Sequence, residues 1–390
     1  MEIAIVAGEA SGDLHGALLA RALRGRDPAL SLWGIGGERM RDEGVELFHG
    51  IDEMAVLGFA EVAGRIPFFL RLAAKLRRAL ASRRPAALVL IDYPGFNLHL
   101  ARAVRPLGIP VAYYVSPQVW AWGAGRVNAI RESVDRMIVI LPFERAFYAE
   151  RGVDAAFVGH PLVGVARPSR SREATRSALG VAADATLVGL FPGSRRQEVE
   201  RHLPLFVGAV GRLRDGGLGS EQRVAAAIGR AGTIPEDALR ATIAGLPIPV
   251  TTESYDLMAA ADLLFVASGT ATLEAAIVGT PMVVVYRTSP VSFALGRLLV
   301  RVPHVALANL VAGERLVPEL IQREATPAAL AAEAAAILRD PERQCATRDG
   351  FARIRTALGE PGAPDRAAEI VLSLARASGA PRAADRGAAR

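Results

Sequence analysis

Short apolar runs alternate with longer stretches of helical apolar spacing along most of the chain. In the first half, the apolar runs lie near 3–7, 31–35, 87–91, 110–115, 136–140 and 155–158. Between them, segments such as 67–82 and 96–104 repeat apolar residues at helical intervals. Apolar runs this short are typical of strands buried on both faces, as in parallel sheets. The pattern predicts a doubly wound α/β domain.

A second domain of the same kind follows a break in the pattern. Residues 160–173 are rich in Pro, Ser and Arg, which favours a linker. New apolar runs lie near 186–191, 223–228, 262–266 and 282–286, and after 326 the pattern is helical only. Two Rossmann-like domains in series are expected to bind ligands at the carboxyl ends of their strands, facing across a cleft. The low-complexity tail at 378–390 predicts disorder.

Charge and cysteine content narrow the class of protein. The 390 residues include a single cysteine, Cys345, and carry a net charge of +6. One cysteine excludes a disulfide framework and favours a reducing compartment. The positive charge favours an anionic partner, although an Arg-rich composition also explains scattered surface charge. Without a signal sequence or a run of ~20 apolar residues, the chain is expected to be soluble or peripheral.

Polar residues fill the first strand-to-helix turn, GEASGD. Gly8 and Gly12 permit close approach of the backbone to a ligand, and Glu9, Ser11 and Asp13 offer groups that hydrogen-bond hydroxyls. The G-x-G-x-x-G dinucleotide pattern is absent, which disfavours a nicotinamide cofactor. The turn is predicted to hold a hydroxyl-rich ligand.

The loop PGSRRQEV opens a helix of the second half. Arg195 and Arg196 lie in its first turn, where the helix dipole disfavours cations unless they bind an anion. Because Arg grips phosphate oxygens with two N–H groups, at least one of these residues, together with Ser194, is predicted to bind a phosphate. An ion pair with Glu198 or Glu200 is the alternative.

A second loop, SGTATLE, follows the predicted strand at 262–266. Hydroxyl groups and free amides at a helix N-terminus form a cradle for a diphosphate. The residues of this cradle are Ser268, Gly269, Thr270, Ala271 and Thr272. No Lys follows the glycine as in a P-loop, so a metal-assisted NTPase is disfavoured. Glu274 is predicted to accept hydrogen bonds from a ribose diol, with a capping arrangement as the alternative.

The sequence IDYPGFN places Asp92 at the carboxyl end of a predicted strand. A carboxylate in that position, directed into the cleft, is a candidate general base. The alternative is an Asx turn before Pro94, with Asn97 capping the next helix. Both interpretations can hold together.

Two segments combine apolar and basic residues as membrane-surface helices do. In 66–84, the residues predicted to contact acyl chains or a membrane are Phe68, Phe69, Leu72, Leu76, Arg77 and Arg78. The alternative is an ordinary amphipathic helix with a core face. The segment 291–302 has the same character. For either segment alone the ordinary interpretation is favoured, and the two segments together with the high isoelectric point favour membrane contact for 66–84.

Eight blocks of sequence resemble the lipid-A-disaccharide synthases, glycosyltransferases of bacterial lipid A assembly, in the expected order. They are GEASGD at 8–13, IDYPGFN at 91–97, SPQVWAWG at 116–123, LPFE at 141–144, VGHPL at 158–162, PGSRRQEV at 192–199, SGTATLEAA at 268–276 and LANLVAGE at 307–314. The resemblance implies the two-domain GT-B fold. The predicted domains are 1–163 for the acceptor and 174–345 for the UDP-sugar, with C-terminal helices in 346–377 that return to the N-terminal domain.

The resemblance also implies the reaction. A diacylglucosaminyl group passes from UDP-2,3-diacylglucosamine to lipid X, giving a β-1,6 disaccharide phosphate and UDP. Inversion by single displacement needs a base on the acceptor hydroxyl and charge stabilisation of the leaving diphosphate. Asp92 is the predicted base, Arg195 and the 268–272 loop form the clamp, and Asn309 lines the donor side.

On the acceptor side, the predicted lining residues are Glu9, Ser11 and Asp13. Tyr113, Trp120 and Trp122 either wall the cleft or pack in the core. No D-x-D motif is placed to bind a metal ion, so catalysis without metal or cofactor is expected. We expect a cytoplasmic protein, peripheral on the inner face of the inner membrane, with no nucleic-acid partner and with monomer and homodimer both open.

Two other functions remain open from the residues alone. One is another UDP-sugar enzyme of the GT-B fold, either a UDP-N-acetylglucosamine 2-epimerase or a peptidoglycan-type transferase. The apolar segments disfavour an epimerase, because it needs no acyl-binding surface. The other is a peripheral lipid- or nucleotide-binding protein, which the convergent polar loops disfavour.

Overall fold

The computed structural model describes residues 1–54, 59–121, 124–219, 222–243, 246–290, 293–294, 297 and 302–379. These residues form two compact units. The first contains residues 1–161 and the C-terminal segment from Gly359, and the second contains most of 162–358. The boundary lies within the predicted linker, two residues before the predicted end of the first domain at 163.

The first unit is built on a seven-stranded parallel sheet with the order β3-β2-β1-β4-β5-β6-β7. Its strands are β1 Glu2–Ala7, β2 Ser31–Gly36, β3 Glu46–Gly50, β4 Ala87–Ile91, β5 Val111–Tyr114, β6 Arg136–Val139 and β7 Ala155–Phe157. Its helices include α1 Ala10–Arg26, α2 Glu38–Asp42, α3 Phe59–Arg83, α4 Pro94–Val104, α5 Val127–Ser133 and α6 Pro142–Ala149. The chain order reverses between β1 and β4, which is the switch point where doubly wound sheets bind ligands.

The second unit repeats this design with a six-stranded parallel sheet in the order β10-β9-β8-β11-β12-β13. Its strands are β8 Thr186–Phe191, β9 Val224–Gly229, β10 Val250–Thr251, β11 Leu263–Ala267, β12 Met282–Tyr286 and β13 Glu319–Ile321. Its helices include α7 Leu162–Val165, α8 Arg172–Ala178, α9 Arg196–Arg212, α10 Glu236–Thr242, α11 Ser254–Ala260, α12 Ala271–Val278, α13 Leu307–Ala312, α14 Pro327–Leu338 and α15 Pro341–Ala357. The switch point lies between β8 and β11.

The central strands are the longest apolar runs because helices cover both faces of each sheet. Residues 3–7 of β1 and 87–91 of β4 are all fully buried. The predicted doubly wound α/β class is therefore confirmed, and every predicted strand is present. The strands that the pattern missed, β3, β10 and β13, lie at sheet edges, where polar residues interrupt the apolar run, and β10 and β13 are also short.

The two C-terminal helices separate between the units. α16, Ala363–Gly379, packs against α1, and Arg26 forms an ion pair with Asp365 at 3.1 Å. α15 instead packs against α12 and α13 of the second unit, burying Phe351 and Ile354. The expectation that all helices of 346–377 return to the first domain therefore holds only for α16. The apolar stripe of α15 is covered by helices of the second unit, and the chain enters the first unit only after α15.

Three sequence predictions touch residues outside the described part of the chain. The predicted disordered tail lies outside it from residue 380 onwards, and its first two residues end α16. Trp122 and most of the apolar segment at 291–302 also lie outside it. None of the described helices is long and apolar enough to cross a membrane.

Candidate active site

The first group of predicted site residues lies at the carboxyl end of β4, beside the switch point. Asp92 and Tyr93 directly follow this strand, with φ angles of 43° and 49°. Val115, directly after the neighbouring strand β5, has a φ of 61°. Left-handed conformations are uncommon outside glycine, most of all for a β-branched residue, and persist only where surrounding contacts impose them. Strain on two adjacent strands marks this turn as a candidate catalytic site.

Hydrogen bonds hold the Asp92 turn on both sides. Its carbonyl oxygen accepts from the Asn97 side-chain amide at 2.8 Å and from the Tyr113 hydroxyl. Its backbone amide donates to the carbonyls of Val115 at 3.2 Å and of Tyr114 at 3.3 Å. Burial, followed by the charge of Asp92, raises the pKa of Tyr113 well above its usual range. Buried Asn97 thus closes the turn from within α4, whose N-cap is Tyr93 without a side-chain cap, so Asn97 does not cap the helix as the alternative interpretation predicted. The half-buried Asp92 keeps its position for a base.

The GEASGD turn packs directly against the Asp92 turn. A Cβ atom on Gly8 would lie 2.3 Å from two ring atoms of Tyr93, so only glycine allows this approach. Glu9 is half-buried and Ser11 is exposed at the start of α1. Burial and the nearby charge of Glu9 raise the pKa of Tyr93 to about 12. The structure therefore brings the predicted acceptor-side residues Glu9 and Ser11 beside the predicted base.

Asp13 has a different environment from the one predicted. Its side chain is 4% exposed, and its carboxylate accepts hydrogen bonds from the backbone amides of Gly37 at 2.7 Å and of Arg39 and Met40 at 3.2 Å. These amides begin α2, where a carboxylate satisfies N–H groups that lack helical partners. Asp13 thus anchors α2 to α1, which leaves it as a positioning residue for the turn.

Two motif blocks that carried no assigned chemistry meet behind β5. Trp120 donates its indole N–H to Glu144 at 3.0 Å, and Glu144 also accepts from the amides of Ile140 and Leu141. Burial raises the pKa of Glu144 to about 7. The blocks SPQVWAWG and LPFE therefore occur together because each satisfies the polar groups of the other.

A buried histidine pair is a second feature that sequence reasoning missed. His15 on α1 and His160 after β7 have ring centroids 6.3 Å apart, and His15 lies equally far from Tyr114. Burial lowers the pKa of His15 to about 4. For His160, burial and the neighbouring His15 lower the pKa to about 3. Both rings are neutral at pH 7.

In the second unit, Arg195 is the N-cap of α9, at the end of the short loop 192–195 that follows β8. Its guanidinium is 46% exposed and donates to Glu198 at 3.0 Å, while the amides of Ser194 and Arg195 donate to the other oxygen of that carboxylate. Arg196 pairs with Glu200 at 2.8 Å. The ion pairs foreseen as the alternative are therefore present. Ser194 and Arg195 remain accessible at the carboxyl end of β8, where a phosphate can share the Arg195 cation.

The SGTATLE loop lies on the other side of this switch point. Gly269 has a φ of 153°, and Thr270 and Ala271 begin α12 at the surface. The Ser268 hydroxyl donates to the carbonyl of Val305 at 2.7 Å, and Thr272 is fully buried with its hydroxyl bonded to Gly269.

The hydroxyls of Ser268 and Thr272 therefore shape the loop, and the cradle is left to the backbone amides and to Thr270. Glu274 is half-buried and accepts from the hydroxyl of Tyr255 at 3.1 Å.

Asn309 is fully buried, which is contrary to the prediction that its side chain lines the donor site. Its amide bonds both to the backbone of Val317 and to the Glu319 carboxylate, each at 2.9 Å. Glu319 also accepts from the amides of Val305 and Ala306. Asn309 and Glu319 thus fix the segment that leads into α13, beside the SGTATLE loop.

The apolar residues of α3 divide between core and surface differently from the membrane prediction. Leu72 and Leu76 are 4% and 0% exposed and belong to the core of the first unit, while Phe68 and Phe69 are half-buried against it. A helix on a sheet buries one apolar stripe, and these four positions form that stripe. The prediction that Leu72 and Leu76 contact a membrane is therefore wrong.

The exposed side of α3 carries two other apolar residues, Ile66 and Leu70, which are 49% and 51% exposed one turn apart. Arg77 and Arg78 are exposed and use only their Nε atoms on backbone carbonyls, at 2.9 and 3.4 Å. A basic and apolar surface is thus present on α3, with Ile66 and Leu70 in place of the leucines that were predicted.

Structural neighbours define the class of protein. The calicheamicin glycosyltransferase CalG4 matches with a TM-score of 0.61 at 16% identity, covering 100% of this chain and 99% of its own. The S. aureus MnaA–UDP structure matches with a TM-score of 0.65 at 12% identity, covering 96% and 97%. At such identities the likeness shows the fold alone. The chain has the GT-B fold, with two Rossmann-like units.

Sequence relatives define the family. The lipid-A-disaccharide synthetase family profile matches residues 3–371. The lipid-A-disaccharide synthase of Syntrophus aciditrophicus (strain SB) is 44% identical over 380 residues, and that of Anaeromyxobacter dehalogenans (strain 2CP-C) is 45% identical over 377. Both alignments cover 96% of this chain and 98% of the relative. The chain belongs to the lipid-A-disaccharide synthase family, so the resemblance carried by the eight blocks is confirmed.

Proposed function

We propose that this protein transfers a 2,3-diacylglucosaminyl group from UDP-2,3-diacylglucosamine to lipid X, releasing UDP. Family membership over nearly the whole chain supports the reaction. The observation that carries the assignment of chemistry is the strained turn of Asp92 and Tyr93 beside the GEASGD turn. The first unit would take the acceptor and the second the UDP-sugar.

Asp92 is the proposed general base. It would accept the proton of the acceptor hydroxyl as that oxygen attacks the anomeric carbon and the bond to the diphosphate breaks, which inverts the configuration. Positioned general bases contribute ~10²–10⁴-fold in rate. Glu9 and Ser11, next to this turn, would bind acceptor hydroxyls, and Asp13 would support them from α1 by anchoring α2.

Stabilisation of the negative charge on the leaving diphosphate is assigned to the second unit. The half-exposed guanidinium of Arg195 and the amides at the start of α12 are suited to an anion, because a helix N-terminus and an Arg fork both favour negative charge. Thr270 adds an exposed hydroxyl, and Glu274 is the proposed ribose ligand. Ser268, Thr272 and Asn309 are proposed to position this loop.

Within the described residues, no group of three or more His, Cys, Asp and Glu side chains could hold a metal ion. Catalysis without a metal stays a prediction, to be tested by chelation. Membrane contact is proposed at the exposed side of α3, through Ile66 and Leu70, with Arg77 and Arg78 near anionic head groups. Cations near such a surface contribute ~1 kcal/mol each and are screened by salt.

The test is formation of product by the purified full-length protein. Radiolabelled UDP-2,3-diacylglucosamine and lipid X are mixed with enzyme, and we expect a labelled disaccharide phosphate and one UDP per disaccharide. Asp92→Asn should lower turnover ~10²–10⁴-fold with UDP affinity retained. Asp154→Asn is the control, because that side chain is 90% exposed and pairs only with Arg136. Near-normal turnover of Asp92→Asn would remove the base assignment, and absence of disaccharide with wild type would remove the reaction.

A further inference from the structure

The left-handed backbone after β4 and β5 requires contacts that impose it, because each such residue costs of the order of 1–3 kcal/mol. For Asp92, these contacts come from Asn97 and Tyr113. Val115 needs its own restraint, since its carbonyl receives the Asp92 amide and its φ of 61° is unfavourable for valine. On its amide side, Val115 donates to the carbonyl of Ile138 at 3.1 Å, and the segment that follows Val115 restrains its carbonyl side.

Helix α6 holds that segment at two points. Tyr148, which is fully buried, shares a hydrogen bond of 2.8 Å with the hydroxyl of Ser116, the residue directly after Val115. Glu144, one turn earlier on α6 and 1% exposed, accepts from the indole of Trp120 at 3.0 Å. Ser116 and Trp120 are thus bonded to one helix at both ends of the segment between them.

Glu144 is the only member of this arrangement, among the residues described above, that binds three donors from two different loops. One carboxylate oxygen faces Trp120, and the other accepts from the amides of Leu141 at 3.0 Å and Ile140 at 3.3 Å. The loop after β5 is therefore joined to the loop after β6 through a single buried side chain. A buried carboxylate is costly without such bonds, so the arrangement is tightly defined.

We propose that Glu144 is a positioning residue for Asp92, acting through Trp120 and the 115–120 segment to keep the Val115 carbonyl under the Asp92 amide. The proposal rests on Asp92 being the base. If the segment is released, Val115 can leave the left-handed region, and the Asp92 amide keeps only its longer bond of 3.3 Å to the Tyr114 carbonyl. Proton transfer suffers first, because it depends on placement to within about 0.5 Å. UDP binding, which uses the second unit, is unaffected.

The experiment compares Glu144→Gln with Trp120→Phe in the full-length enzyme. Gln cannot accept from both loops at once, and Phe keeps an aromatic ring beside Phe143 while losing the N–H and part of the ring system of Trp120. Both variants should lower kcat ~10-fold, with KM for either substrate and UDP affinity changed less than 2-fold. Glu150→Gln, at the exposed end of α6, is the matched control and should resemble wild type.

A double-mutant cycle separates positioning from stability. In an Asp92→Asn background, Glu144→Gln should lower the residual rate less than 2-fold, since its effect passes through the carboxylate already removed. The same ~10-fold loss in that background, or unchanged kcat in Trp120→Phe, would overturn the proposal. Normal turnover of Asp92→Asn alone would instead overturn the base assignment. If Glu144→Gln does not fold, Trp120→Phe, which removes one hydrogen bond, carries the same cycle.

Discussion

Replacing Gly8 by Ala places a methyl group inside the ring of Tyr93. The ideal Cβ position lies 2.3 Å from two ring atoms, whereas carbon atoms in contact prefer ~3.5–4.0 Å. The ring would have to move by roughly 1 Å or more. It is held at its far end by a hydrogen bond of 2.8 Å from the hydroxyl to the Met54 carbonyl, and it packs beside Phe69. Overpacking of this kind costs ~1–3 kcal/mol.

The displacement has a catalytic consequence because Tyr93 follows Asp92 directly. We expect Gly8→Ala to lower both the urea midpoint of unfolding and the rate of disaccharide formation, with UDP affinity retained in the second unit. The loss of turnover should exceed what the fraction of unfolded protein explains, since the Asp92 backbone moves with the ring.

Gly12→Ala is the matched control in the same turn. Neither glycine has a positive φ, so backbone strain is absent from both substitutions. A Cβ on Gly12 would lie 3.3 Å from the Ala7 Cβ, and Ala is favoured over Gly inside a helix by ~0.5–1 kcal/mol. Its stability and turnover should stay close to wild type. If the two variants behave alike in both assays, the contact between Gly8 and Tyr93 does not constrain the site.

Three further outcomes are expected. Arg195→Ala should weaken UDP binding and turnover together, and Arg195→Lys should restore them only in part because the planar fork is lost. Full activity of the Ala variant contradicts the binding of the diphosphate by Arg195. EDTA should leave wild-type activity unchanged. Lowering the pH from 6.5 to 5 should destabilise the fold by roughly 2 kcal/mol through His15, because the unfolded state binds a proton that the buried ring, with its pKa of about 4, does not bind. The free energy of unfolding, measured by urea melts at each pH, should therefore change less with pH in His15→Gln than in wild type. An equal dependence on pH in the two proteins refutes this. Serine at Ile66 and Leu70 should reduce co-sedimentation with anionic vesicles at low salt without a change in unfolding, whereas Leu76→Ala should cost ~2–5 kcal/mol of stability as a core cavity; unchanged vesicle binding in the serine variant would locate the membrane contact elsewhere.

The central sheets and their loops could be predicted from the sequence because apolar runs and glycine-rich turns are local signals. The role of a polar residue in a loop could not, because it depends on partners far along the chain. The Asp13 carboxylate is hydrogen-bonded to backbone amides 24 to 27 positions away, and the Asn309 side chain is hydrogen-bonded to Glu319 across a turn. Neither set of partners has a sequence signature.

Which apolar residues of α3 lie in the core and which at the surface depends on how the helix is rotated about its axis. Helical spacing identifies an apolar stripe, but two stripes on one helix compete for the sheet. Leu72 and Leu76 lie in the core because their stripe, which also contains Phe68 and Phe69, is the wider one and fills more of the core. Ile66 and Leu70 were left outside.

Because α16 belongs to the first unit although α15 belongs to the second, the first unit is completed by a helix that is synthesised after the whole of the second unit. About 200 residues separate Pro161 from Ala363. At 5–20 residues per second, the part of the first unit that ends at Pro161 waits roughly 10 to 40 s for α16 to begin, and α1, synthesised earlier, is without this partner for longer. Its apolar face, which the buried side of α16 covers in the finished protein, is open during that interval. Translation speed through the second unit therefore sets how long the nascent first unit is exposed to aggregation.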